Sequence, residues 1–161
     1  MSTTNQFESI AIEGTTDVAE WLRGMQSIEK TPAQRMLCVT WIGEQVTKPV
    51  PQPLEEVLCQ VCLHDGDPVV RHEAAFVLGL LYSLEAIEGS QALDTLCESS
   101  QNDPSIVVRH ESAEALAFFP VQKAIDVLSD LVEDESHDVV TTAQIALEKI
   151  QRHLGIYEEK K

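Results

Sequence analysis

The chain has 161 residues, 27 of them acidic and 11 basic, for a formal net charge of −16. That is one domain's length, enough to bury a substantial core. So acidic a surface repels nucleic acid and anionic membrane and attracts basic partners or cations. Nothing resembles a signal peptide, and no apolar run approaches the roughly 18 residues needed to span a bilayer, so a cytoplasmic protein is expected.

In chain order, residues 1–14 are polar, without periodicity, and are expected to be a flexible N-terminal segment. Val18, Trp21, Leu22 and Met25 then recur at i, i+3, i+4 and i+7, which predicts a first helix ending near "EKTP". A second helix is predicted from Pro32 to Gln45, closed off by the proline-rich connection "VTKPVPQP". The third covers 53–64, with a stripe of Leu54, Val57, Leu58, Val61 and Cys62. Asp67-Pro68 supplies an N-cap and the residue favoured at the first helical position, opening the fourth. The fifth is weaker, over 88–100, and the sixth begins near Ser105. The seventh spans 120–133 and the eighth 138–153, and residues 154–161 form a charged tail. No segment alternates as a strand would, so the class is all-α.

Four cysteines in a chain of this length do not make a disulfide framework. Cys59 and Cys62 form a CxxC with His64 close behind. No second CxxC or His pair completes a tetrahedral zinc site. The helical stripe puts Cys62 in the core with Cys59 at its flank, and free, partly buried thiols are the expectation.

Antiparallel helix pairs with a period of about 30–40 residues describe a helical solenoid. Four repeats fit, over 15–46, 53–83, 87–118 and 120–153, and "DPVVRHEAAFVLG" resembles the second helix of a HEAT-like repeat, which implies a HEAT-like domain over 15–153. Within them "VVRHEAAFVLG" at 69–79 has a near-copy in "VVRHESAEALA" at 107–117. With about 100° per residue and Val70 at 0°, Ala74, Val77, Leu78 and Leu81 cluster between about −20° and +80°. His72 falls near 200°, opposite that stripe, and Glu73 near 300°, on its shoulder. In the copy Val108, Ala115, Leu116 and Phe119 make the stripe, and His110 and Glu111 take the same angles. If Ser105 caps the sixth helix, each His lies five residues past its cap.

Exposed His and Glu are ordinary on a helix, and a repeat protein duplicates surface residues along with its core. However, Met36-Leu37 and Thr141-Thr142 occupy the dyad positions of the outer repeats, so duplication alone does not explain the middle pair. Neighbouring helices sit about 8–10 Å apart, close enough for two imidazoles and a carboxylate to converge on one ion. Such hard and borderline ligands suit non-haem iron or manganese, and also zinc.

The run from "HEAAFVLG" through the 38 residues separating His72 from His110 to "VVRHESAEALA" resembles deoxyhypusine hydroxylase, a HEAT-repeat enzyme family. "DVVTTAQIALEKIQ" extends the likeness, and "TPAQRMLCVTWIG" does so more loosely, covering about 30–153. The Ala-Leu framework is shared with other HEAT-like proteins, including phycobilin lyases; the His-Glu dyads are the specific part. The resemblance implies a dioxygen-activating di-iron hydroxylase, with His72, Glu73, His110 and Glu111 as metal ligands. In that family two such halves supply four dyads, whereas this chain carries two. A twofold homodimer facing its concave surfaces would restore the count. Glu114, three residues after Glu111, is the candidate catalytic group, poised to accept a hydrogen bond from a ligand or to contact a cationic substrate. An amine-bearing side chain on a basic protein is the substrate class that the acidic surface favours. The competing expectations are a non-catalytic scaffold binding a protein in its groove, and a metalloprotein that senses oxygen.

Overall fold

In the computed structural model, residues 31–45 and 52–156 are described; the expected first helix and the segment 1–14 lie outside them, as does the tail beyond residue 156. Seven α-helices follow one another: α1 (Pro32–Gln45), α2 (Gln52–His64), α3 (Pro68–Ser83), α4 (Ser90–Asn102), α5 (Ile106–Leu116), α6 (Gln122–Asp130) and α7 (His137–His153). The described residues contain no strand. Helices α2, α4 and α6 are the first helices of three antiparallel pairs, and α3, α5 and α7 the second; α1 occupies a second-helix place. The second helices pack side by side in the order α1, α3, α5, α7, and the first helices form a parallel outer layer. This is the all-α, HEAT-like solenoid that the periodicity implies.

The starts of the second helices explain the register. Asp67 caps α3, its carboxylate accepting the Val69 amide at 2.9 Å, with Pro68 in the first turn. Ser105 caps α5 and Ser136 caps α7, neither with a side-chain bond. Support comes instead from an aspartate two residues earlier. Asp65, Asp103 and Asp134 each accept the amide of the capping residue, at 2.9, 2.8 and 2.8 Å. Ser105 therefore caps α5, and the offset from cap to His is five residues in both middle repeats.

The core lies between the two layers. Val70, Ala74, Val77, Leu78 and Leu81 of α3 are fully buried, as are Leu54, Leu58 and Cys62 of α2. Helix α5, held between α3 and α7 and backed by α4, is covered nearly all round, so Ser112 and Ala113 are buried as well as its apolar stripe. Phe119, assigned from periodicity to that stripe, lies beyond the end of the helix and yet is the largest fully buried side chain among the described residues. It stacks on Tyr82 with centroids 3.8 Å apart and planes 12° off parallel. This stack explains why α4 starts two residues later than periodicity predicts. Gly89 takes φ 82° to cap the helix, and a Cβ there would run into the Tyr82 ring. The other departure is in α6, whose last turn tightens to a 3₁₀ turn over Leu131–Glu133.

All four cysteines are buried. Burial pushes Cys59 up to about 11 and Cys62 up to about 12, the latter against a hydrogen bond with Ser99. Burial thus keeps both thiols protonated, which lowers their reactivity as nucleophiles.

Candidate functional site

Arg71 and His72 are neighbours in sequence, and the 100° helical step between them separates two different networks. Arg71 turns inward, grips Asp103 with Nε–Oδ2 at 2.7 Å and a second nitrogen at 2.9 Å, and donates to the Asp65 carbonyl at 2.8 Å. Arg109 does the same one repeat later, to Asp134 at 3.0 and 3.1 Å and to the Asp103 carbonyl at 3.0 Å. Arg35 holds Asp65 at 2.7 and 2.8 Å. Every junction between described second helices thus carries one bidentate, largely buried Arg–Asp clamp.

The dyads form a second ladder on the inner face. His72 Nε2 lies 3.1 Å from Glu111 Oε2 on the next helix. One step along, His110 Nδ1 meets the Thr142 hydroxyl of α7 at 2.8 Å. At the other end, the Thr40 hydroxyl of α1 donates to Glu73 Oε1 at 2.7 Å. His110 Nε2 faces Glu114 Oε2 at 3.7 Å, one turn along the same helix, too far for a hydrogen bond. The order is therefore Thr40–Glu73 and His72–Glu111, then His110–Thr142, a polar line crossing four helices.

Helical angles place Glu111 like Glu73, on the shoulder of the apolar stripe, and its side chain is only 12% exposed, with α3 packed against α5 and His72 beside it. The imidazoles stay accessible, His72 at 34% and His110 at 38%, and Glu114 is well exposed at 63%. The hydrogen bond to Glu111 raises the pKa of His72 above its ordinary value. Partial burial opposes it, and the charges of Glu111, Glu73 and Glu114 add to it. Around the dyads Val69, Phe76, Val107 and Ile145 stand exposed, giving the inner face an apolar frame.

All five candidate residues thus meet on one face, but among the described residues no three His, Cys, Asp or Glu side chains converge as a group that could hold a metal ion. What the sequence reading missed is the pair Thr40 and Thr142. Thr142 sits in the slot of Glu111 one repeat on, and Thr40 in the slot of Glu114; that equivalence is the signal that could have found them.

The sequence pattern of a repeat family described as HEAT repeats matches residues 55–148. The chain belongs to the HEAT-repeat family. No curated protein matches it significantly. Among solved structures, this HEAT-repeat chain is similar to human deoxyhypusine hydroxylase in complex with glycerol, with a TM-score of 0.70 and 22% sequence identity. The match covers 86% of this chain and 45% of that one, so the chain spans less than half the length of its structural neighbour. At that identity the likeness establishes the fold. No described helix is long and apolar enough to cross a membrane.

Proposed function

We propose that the inner face is half of a two-metal, non-haem iron centre, with His72, Glu73, His110 and Glu111 as ligands, and that a second copy of the chain supplies the other half. The observation that carries this is the contact of His72 Nε2 with Glu111 Oε2 at 3.1 Å. It brings a nitrogen and an oxygen donor from two repeats together on an accessible face. The donor set fits the group. Imidazole and carboxylate are the ligands non-haem iron takes, and a ligating His commonly has its other ring nitrogen held, as His110 Nδ1 is held by Thr142. The chain carries two His-Glu dyads, half the four of the duplicated enzyme family it resembles, which supports completion by a twofold partner.

Iron bound there would supply dioxygen activation, and hydroxylation of an aliphatic amine-bearing side chain is the reaction class this reading favours. The chain's own residues would bind and orient such a substrate. The exposed carboxylate of Glu114 would meet the cation, while Phe76 and Ile145 offer apolar surface for its stem. The same apolar frame supports a second reading, a scaffold whose groove holds a protein partner with the dyads as polar lining.

Iron(II) reconstitution without oxygen, with metal content and solution mass measured on one sample, separates the two. The expected result is two irons per dimer, lost in His72→Ala and in His110→Ala. A metal-free monomer would overturn the metal reading and leave the scaffold.

A further inference from the structure

The outer repeats lack the dyad, yet each sends one hydroxyl into it. Thr141 stands in the His position of the last repeat and spends its hydroxyl on its own helix, bonding the His137 carbonyl at 2.9 Å. Thr142, the next residue, turns toward α5 and meets His110 Nδ1 at 2.8 Å. Thr40 Oγ1 lies within donor reach of two acceptors, the Met36 carbonyl at 3.1 Å and Glu73 Oε1 at 2.7 Å, and its single proton favours the shorter contact to the carboxylate. The two half-buried threonines end the polar line on opposite sides, where a further His-Glu pair would otherwise extend it.

We infer that Thr142 and Thr40 are positioning residues for the dyads, fixing the ring of His110 and the carboxylate of Glu73. This rests on the proposed metal reading for its purpose, but its geometry is independent of any metal. A hydroxyl can accept as well as donate. When His110 Nε2 takes a ligand, only Nδ1 can carry the proton, and the Thr142 oxygen already stands at the acceptor distance. Without Thr142 the Nδ1 proton loses that acceptor, while the negative charge of Glu114, 3.7 Å from Nε2, favours a proton on Nε2. A proton on Nε2 would block that nitrogen as a ligand. Thr40 acts on the other ligand type. By donating to Oε1 it pins one oxygen of Glu73, whose equivalent in the next repeat, Glu111, is pinned by His72 instead.

The test compares Thr142→Val, which keeps the shape and removes the hydroxyl, with Thr142→Ser, which restores it. In the metal-free protein, long-range proton–nitrogen spectra report which ring nitrogen of neutral His110 is protonated. The fraction protonated on Nδ1 should fall in Thr142→Val and return in Thr142→Ser. In the iron-loaded protein, Thr142→Val should bind iron about 10–100-fold more weakly, the usual loss for an outer partner of a ligand, and Thr142→Ser should recover it. Thr40→Val should weaken iron binding while leaving the His110 spectrum unchanged. An unaltered His110 spectrum in Thr142→Val overturns the inference whether or not iron binds. Unaltered iron affinity in Thr142→Val, when His110→Ala has lost it, overturns the inference and spares the metal reading. Iron retained in His110→Ala removes the metal reading while the spectrum still decides the role of Thr142.

Discussion

Arg71 and His72 begin two ladders that run through the same helices, and they differ in every physical respect. The arginine ladder is bidentate, largely buried and present at all three described junctions, Arg35–Asp65, Arg71–Asp103 and Arg109–Asp134. The histidine ladder makes single contacts half open to solvent, and its composition changes from junction to junction, with His-Glu pairs only in the two middle repeats and threonines at either end. A feature needed for stacking repeats on one another must recur in the same form at each junction, as the first does. The His-Glu pair does not recur in that way, and the stack does not require it. The comparison assigns stability to the arginines and leaves the histidines available for chemistry.

The largest effect that can break this division is Arg71→Met. It leaves Asp103 buried without its cation, and loss of one partner of a buried pair costs about 3–5 kcal/mol. Urea unfolding should show a loss of that size; a loss under about 1 kcal/mol would put Arg71 with the exposed pairs, which are worth no more. Gly79→Ala sharpens the spatial side of the comparison. A Cβ at Gly79 would lie 2.8 Å from that of Ala115, so α3 and α5 must shift apart. Overpacking of this kind costs about 1–3 kcal/mol. The same shift should lengthen the His72–Glu111 contact, seen as a fall in the His72 pKa by proton NMR.

Acid stability tests the arginine ladder differently. Burial alone would raise the Asp134 carboxyl, but the Arg109 hydrogen bond, the Ser136 amide and the charge of Arg109 outweigh it and hold the pKa below its ordinary value. A carboxyl depressed by folding adds stability above its unfolded pKa, about 3.9, and loses it as pH falls through the folded value. Asp134→Asn should therefore flatten the fall in stability below about pH 4. An unchanged acid limb would contradict the clamp. The smallest effect is expected at His72→Gln, which should change the stability of the metal-free protein by no more than about 1 kcal/mol. A larger loss would make the histidine ladder structural and erase the contrast.

The two ladders were not equally legible in the sequence. Helix positions followed from periodicity and caps, and the equal offset of His72 and His110 from Asp67 and Ser105 placed both on one face. The Asp-x-Asp/Ser spacing of Asp65, Asp103 and Asp134 was present as well. Its role as clamp partner depends on which helix stacks on which, and that no single helical wheel contains. The same holds for Glu111. Its angle equals that of Glu73, but Glu73 faces α1, where Met36 stands in the His position, and Glu111 faces His72. Residues whose surroundings come from the neighbouring repeat were the ones the sequence could not place.

That each repeat touches only its neighbours has a consequence for motion. In such a stack one repeat can open while those beyond its neighbour stay folded. Helix α7 contributes Thr142 to the inner face. When α7 frays, His110 loses its anchor while His72 and Glu111 stay paired. Amide exchange along α7 would then report how often one end of the polar line is released, a breathing rate set by packing distant from the dyads themselves.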